Sequence, residues 1–247
     1  MNNFVYHYTS MEAVPSIVNR ENLCFWATHH RFLNDPNEGV FGKRLLDEFF
    51  PEYSSLSMPD AFILSLSQDI NSIPMWSSYA NKARGVALKI NKNVLSPNIA
   101  NFSKCFYGEE AKESFKRFAN FYRKSHCYPL ELSKDASTKL VATFFKYFIG
   151  ELSYIGLLCG AKDGGYRYEK EERFWVIADS SSNIKFRVRG DVIIPYVDIY
   201  MPKNALEEIV IGPANNSELI ESSLRFFLAN NGYPHVKISK SNLQYRG

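Results

Sequence analysis

The chain has 247 residues, of which 45% are hydrophobic and 22% are charged, and its formal net charge is +3. This balance is typical of a globular protein of one or two domains, and so mild a positive charge does not predict a nucleic-acid-binding protein. Four cysteines without CxxC spacing indicate neither a zinc site nor a disulfide framework, and no apolar run reaches membrane-spanning length, so we expect a cytoplasmic protein with buried thiols and no membrane contact.

The predicted elements follow from hydrophobic periodicity and from turn residues. In chain order they are a strand over 4–8, a helix from a Thr9–Glu12 capping box to about Asn19, a strand over 23–27, a turn over 33–37, a helix over 38–50, a strand over 61–67, a short helix around 75–79, a strand over 85–90, two amphipathic helices between 109 and 150, strands over 168–178, 184–188, 192–199 and 208–211, a helix over 217–230 and a last strand over 235–238. Because the strands are clustered and do not alternate with helices, the pattern predicts an α+β fold. We expect a single domain over residues 1–247, with a helical insertion at about 109–150.

The segment 168–175 carries the densest group of charges in a predicted strand. If it is extended, Glu169, Glu171 and Arg173 project from one face. Like charges on one face repel, so such a pattern favours a place where a cation, a ligand or a developing positive charge offsets the repulsion. The alternative is an exposed edge strand whose solvated charges prevent aggregation.

Other candidate residues are weaker on sequence grounds. The chain has no glycine-rich phosphate loop, no HExxH motif and no GxSxG motif. His29 and His30 are adjacent, so we expect them to point apart, and no carboxylate spacing completes a metal site around them. His7 is most simply a core or interface histidine of a strand, and Trp76 with Tyr79, three residues apart on one helix face, is most simply core.

Five short motifs occur in order along the chain: Tyr6-His7-Tyr8-Thr9-Ser10, Leu33-Asn34-Asp35-Pro36, Ser65-Leu66-Ser67, Met75-Trp76-Ser77-Ser78-Tyr79-Ala80 with Gly85-Val86-Ala87-Leu88, and Tyr168-Glu169-Lys170-Glu171-Glu172-Arg173. Between Phe4 and about Gly212, the chain therefore resembles a large bacterial family catalogued as a domain of unknown function. More distantly, an early His-Tyr-Thr strand, a mid-chain aromatic helix and a late glutamate strand are similar to the ADP-ribosyltransferase fold, which has a split β-sheet core.

The second resemblance implies a cleft for NAD, used as a substrate, between two small sheets. It implies that His7 contacts a ribose, that Tyr79 flanks the nicotinamide and that Glu171 holds the nicotinamide ribose, with Glu169 assisting the acceptor. The other implied NAD contacts are Tyr8, Thr9, Asn34, Trp76 and Arg173. Cleaving the nicotinamide–ribose bond develops positive charge on the sugar, which a carboxylate in a partly desolvated cleft stabilises.

These inferences predict an NAD-dependent ADP-ribosyltransferase-like enzyme with an unidentified protein or nucleic-acid acceptor. Bacterial enzymes of that fold often serve in phage defence or as toxins, so the resemblance implies such a setting. One alternative is a non-catalytic nucleotide- or protein-binding module on the same scaffold. A third interpretation is a nuclease whose metal is held by Asp35, Glu38, Glu169 and Glu171.

Overall fold

The computed structural model describes residues 3–35, 39–51, 60–95, 102–126, 155–178, 182–215 and 218–245, with the backbone alone described over 121–126. The strands are β1 (Phe4–Thr9), β2 (Leu23–His29), β3 (Ala61–Ser67), β4 (Val86–Asn91), β5 (Phe102–Lys104), β6 (Phe106–Tyr107), β7 (Ala161–Lys162), β8 (Glu171–Ile177), β9 (Lys185–Arg189), β10 (Val192–Met201), β11 (Leu206–Ile211) and β12 (Lys237–Lys240). The helices are α1 (Val14–Ile17), α2 (Val40–Phe49), α3 (Ile73–Tyr79), α4 (Glu109–His126), α5 (residues 155–160) and α6 (Glu218–Asn230).

One mixed sheet of ten strands dominates the described chain. Its order is β12-β11-β4-β1-β3-β2-β10-β9, and β8 pairs with both β3 and β5 beside this path. Every pairing in it is antiparallel except that of β11 with β12. A separate parallel pair joins β6 to β7. The predicted α+β class is confirmed.

The sheet splits at β3. One edge of β3 pairs with β8 along its full length, from Ala61 opposite Ile177 to Ser67 opposite Glu171. On the other edge β1 meets β3 only at Ser67. β2 meets β3 only at its opposite end, where Thr28 lies opposite Ile63. The middle of β3 is therefore uncovered on that side, and Ser65 is exposed although its strand lies inside the sheet.

The described residues form four apolar clusters. The largest joins the sheet to α1 and α6 and includes Leu23, Leu88 and Leu224. The second lies where α2, α4 and α5 meet, and its members include Leu46 and Phe115. The first predicted amphipathic helix is thus present as α4, whereas the second, near 140–148, lies outside the described residues. No helix in the described ranges is long and apolar enough to cross a membrane.

Two local predictions were wrong. Thr9 does not cap a helix, because it is the last residue of β1, and after it come only a 3-10 turn and the four-residue α1. The strand predicted over 168–178 begins at Glu171, because a 3-10 helix over Gly164–Glu169 precedes it and Lys170 adopts a left-handed conformation with φ of 43°. Sequence periodicity also missed the short strands β5, β6 and β7 and the helix α5.

The start of β4 depends on a close backbone approach at Gly85. A Cβ there would lie 2.2 Å from the Thr9 carbonyl oxygen and 3.0 Å from that of Ala80. We expect Gly85→Ala to lower the free energy of unfolding by about 1–3 kcal/mol or more, since two backbone segments must move apart. Urea denaturation measures the change. Gly156→Ala in α5 is the control, because its Cβ would meet only Trp175, at 3.8 Å, and a loss there as large as that at Gly85 would contradict the explanation.

Candidate functional site

A cleft of about 510 Å³ opens at the split in the sheet. Residues of β1, β2 and β3 form its walls, and further lining residues come from 10–17, 32–35, α3, 162–173 and 187–189. Its volume lies in the range of small-molecule and cofactor sites. The strands thus create the cleft because β1 and β2 leave β3 at opposite ends.

Glu171 lies against the cleft with only 4% of its surface exposed. Its Oε1 accepts a hydrogen bond from Arg173 Nε at 2.8 Å. Its Oε2 accepts from Arg173 Nη2 at 3.0 Å and from Lys162 Nζ at 2.8 Å. Its backbone N–H donates to the Tyr107 hydroxyl at 2.7 Å. Three charge-assisted donors therefore fix this carboxylate in one orientation.

Glu169 lies beside it and is 2% exposed. Its Oε2 accepts from Lys162 Nζ at 2.6 Å, and its Oε1 accepts from the Tyr79 hydroxyl at 2.9 Å. The Ser67 hydroxyl donates to the Glu169 backbone carbonyl at 2.6 Å, so β3 holds the end of the 3-10 helix in place. Each carboxylate oxygen of Glu169 thus accepts one hydrogen bond, from Lys162 or from Tyr79, and can accept another from a ligand.

Lys162 is the shared cation of this cluster. The cluster consists of Glu169, Glu171, Lys162 and Arg173, and its two carboxylates, one ammonium and one guanidinium give the cluster a formal charge of zero. Burial alone would raise the pKa of Glu171, but the charges of Arg173 and then Lys162 hold this pKa well below its usual range. Burial raises the pKa of Glu169, against the opposing effect of Lys162, and the neighbouring charge of Glu171 raises it further. The two carboxylates are thus electrostatically unequal.

The exposed-edge-strand interpretation of this segment is wrong. β8 lies between β3 and β5, and all its residues from Glu171 to Trp175 are buried. Even Glu172, whose side chain has different partners, is buried and pairs with Lys92 at 2.6 Å. The charges of this segment are therefore internal groups whose burial requires partners.

His7 lines the same cleft from β1. Its ring packs edge-to-face on Phe25, with centroids 5.1 Å apart, and hydrogen-bonds to the Ser65 backbone. Its Nδ1 is buried without a hydrogen-bond partner. Burial lowers the pKa of His7 to about 4, so the ring is neutral at physiological pH and acts there as a hydrogen-bonding group.

The structure brings most of the predicted site residues together. Those that line the cleft are Tyr8, Thr9, Asn34, Tyr79 and Arg173, with His7, Glu169 and Glu171. Burial, followed by the charge of Glu169, raises the pKa of Tyr79 above its ordinary value, so its hydroxyl remains a donor. Arg173, which the resemblance implies as an NAD contact, donates from Nη1 to the Cys159 carbonyl and from Nε and Nη2 to Glu171, so these donors serve internal acceptors.

The prediction that Trp76 contacts NAD was wrong, because Trp76 does not line the cleft. Helix α3 begins at the Ser72 cap with Pro74 in its first turn. Tyr79 of this helix lines the cleft, whereas Trp76 lies in the core. The indole is fully buried and donates to the Ile70 carbonyl at 2.8 Å. Trp76 packs on Tyr8, with ring centroids 4.9 Å apart, so it supports a residue of the cleft without lining it.

Sequence reasoning missed four residues of the site, namely Lys162, Tyr107, Arg187 and Arg189. Lys162 and Tyr107 belong to two-residue strands that leave no periodic signal. The two arginines alternate with exposed apolar residues on β9, a pattern that on sequence alone marks only a half-buried strand.

The metal-dependent interpretations have no structural support. The prediction that His29 and His30 point apart was wrong, since their ring centroids are 4.6 Å apart. His29 Nε2 lies 3.1 Å from Asp60 Oδ1. Within the described residues no group of three or more His, Cys, Asp or Glu is placed to hold a metal ion. Asp35 does line the cleft, whereas Glu38 lies outside the described residues.

The model of one protein family, described as "Protein of unknown function (DUF2971)", matches residues 75–174. Over that segment, which spans α3 to most of β8, the resemblance to a family of unknown function is confirmed. No curated protein and no solved structure matches the chain.

The buried state of His7 makes stability depend on pH. An unfolded histidine titrates near pH 6.5, whereas burial lowers the pKa of His7 to about 4, so between these values the unfolded chain binds more protons. Stability is therefore fully present above about pH 6.5 and falls as the pH is lowered toward 4, by up to about 3 kcal/mol for this residue. His30, whose pKa burial also lowers to about 4, acts in the same direction.

Urea denaturation at pH 7 and pH 5 measures this dependence. We expect His7→Gln to lose less stability on acidification than the unsubstituted protein does, because the titrating ring is gone. His235→Gln at an exposed position is the control and should follow the unsubstituted protein. An equal loss in His7→Gln and the unsubstituted protein would exclude His7 as a source of the effect.

Proposed function

We propose that the cleft binds NAD and cleaves its nicotinamide–ribose bond, passing ADP-ribose to an acceptor. One observation carries the proposal: His7 of β1, Glu169 at the end of the 3-10 helix and Glu171 at the start of β8 line the same cleft, at the point where the sheet splits. A volume of about 510 Å³ suits a ligand of dinucleotide size. The residue types are those that stabilise a sugar cation.

Glu169 is the carboxylate best placed to meet the ribose. Each of its two oxygens accepts one hydrogen bond from a described residue, whereas Glu171 already binds two cations through three contacts. As positive charge develops on the sugar, the attraction of Glu169 for it increases, and this difference between ground and transition state lowers the barrier. The resemblance implied that Glu171 contacts the ribose. In the arrangement proposed here, Glu169 makes that contact and Glu171 positions Lys162 and Arg173.

Tyr79 and His7 act as orienting groups. The Tyr79 hydroxyl donates to Glu169 and fixes its side-chain rotamer, while its ring forms part of the cleft wall. Neutral His7 offers its unpartnered Nδ1 as an acceptor for a ligand hydroxyl. Because both side chains are held by packing, the site is preorganised for one ligand pose.

Nicotinamide release from NAD tests the proposal, measured by chromatography with water or a candidate protein or nucleic acid as acceptor. We expect Glu169→Gln to lower the rate by roughly 10²–10³-fold, the usual cost of one preorganised electrostatic contact. Glu113→Gln is the matched control, because that glutamate is exposed on α4 and does not line the cleft. Release by Glu169→Gln at the unsubstituted rate would reject the assignment.

A second candidate is a nucleotide-binding module without catalysis. The favouring observation is that all four charged side chains of the cluster bind one another, so the potential facing a sugar cation is weaker than that of a free carboxylate pair. The bacterial defence or toxin setting stays a prediction under either candidate.

Thermal unfolding with NAD separates the two candidates. At a concentration of 100 times Kd, ligand binding adds about 2.7 kcal/mol, which raises Tm by roughly 5–10 °C for a protein of this size. We expect His7→Ala to lose most of this rise. A rise without nicotinamide release supports the binding module, and the absence of any rise contradicts both candidates.

A further inference from the structure

The edge strand β9 carries three basic side chains at alternate positions, Lys185, Arg187 and Arg189. Lys185 pairs with Asp198 at 2.5 Å. Arg187 and Arg189 form no ion pair with any residue in the described ranges, yet both line the cleft. Two guanidinium groups on one strand face repel each other, so this pair favours a bound anion.

Arg187 is the better-defined of the two. Its Nη2 donates to Thr28 Oγ1 at 2.9 Å, while its Nε is buried and lacks a hydrogen-bond partner. Burial lowers the pKa of Arg187, and the charge of Arg189 lowers it further. A buried charged donor without a partner is destabilising, so an acceptor oxygen beside it is strongly favoured.

Aromatic rings hold this guanidinium in place. Its Cζ lies 5.3 Å from the centroid of the Trp26 ring and 5.9 Å from that of Tyr196, and these two rings are 4.7 Å apart. Cation–π attraction to the two rings restrains the group, and it leaves the N–H donors available for hydrogen bonds. The donors are therefore oriented before a ligand arrives.

Arg189 is held through the Asn34 turn. Its Nη1 donates to Asn34 Oδ1 at 2.7 Å, and its Nη2 donates to the Phe32 carbonyl at 2.9 Å. Both acceptors are neutral, so neither forms an ion pair with Arg189. Asn34, whose contact with the ligand stays a prediction, lines the cleft and positions this cation.

We propose that Arg187 and Arg189 form a phosphate subsite on the β2 side of the cleft and that the cleft takes ligands with a phosphate or diphosphate group. Guanidinium groups bind phosphate through paired charge-assisted hydrogen bonds. The cluster around Lys162 is internally neutralised, whereas the β9 arginines keep their charge, so an anionic group binds on the β2 side. That the diphosphate belongs to NAD rests on the proposed function, but the subsite itself does not.

Isothermal titration of the full chain with inorganic pyrophosphate, ADP-ribose and nicotinamide riboside tests the subsite. We expect pyrophosphate and ADP-ribose to bind, more weakly as NaCl rises from about 50 to 500 mM. Arg187→Met should weaken both by about 10-fold or more, the cost of losing a charged hydrogen-bonding partner. Arg187→Lys should lose less, because it keeps the charge without the paired donors. Nicotinamide riboside carries no phosphate group, so its affinity should be equal in the unsubstituted protein, Arg187→Met and Arg187→Lys.

Arg225→Met is the matched control, because Arg225 is exposed on α6 and pairs with Glu221. Unchanged pyrophosphate affinity in Arg187→Met, or no pyrophosphate binding by the unsubstituted protein, overturns the subsite. Arg187-dependent pyrophosphate binding without nicotinamide release from NAD supports the subsite and rejects the proposed function. Nicotinamide release with an unchanged KM for NAD in Arg187→Met supports the proposed function and rejects the subsite.

Discussion

The buried ammonium of Lys162 is the constraint on which the site depends. It lies 2.6 Å from Glu169 and 2.8 Å from Glu171, two carboxylates with almost no exposure to water. Burying an ion costs several kcal/mol, and two adjacent carboxylates without a cation would also repel. With Arg173 as the fourth member, the charges cancel and the glutamates can remain at the cleft wall.

The position of Lys162 is in turn set by helix packing remote from the cleft. Lys162 ends β7, which directly follows α5, and Leu158 of α5 is buried against α2 and α4. A Cβ on Gly42 of α2 would lie 2.9 Å from the Leu158 carbonyl oxygen, so the two helices approach at backbone distance. The apolar packing of α2 and α5 thus determines where the shared cation stands.

Sequence patterns predicted the elements with strong periodicity and the residues on them. The strand over 61–67 was predicted, because a long apolar run carries that signal. The convergence of His7, Tyr79, Glu169 and Glu171 in one cleft was implied by the resemblance to the ADP-ribosyltransferase fold and not by periodicity. The partners of the glutamates, Lys162 and Tyr107, were not predicted. They lie on two-residue strands, which have no periodicity, and a buried lysine cannot be told from an exposed one in a sequence. Trp76 was misplaced because residues three apart on a short helix still differ in direction by enough to separate core from cleft.

The uncovered edge of β3 has a consequence for recognition. Ser65 presents its main chain toward β1, where the His7 ring already bonds to it. A strand edge without a neighbour offers amide and carbonyl groups to whatever enters, much as an added strand would use them. Backbone amide and carbonyl groups are unchanged when a side chain is replaced. A ligand that binds to this edge would therefore tolerate sequence divergence in the residues that contact it.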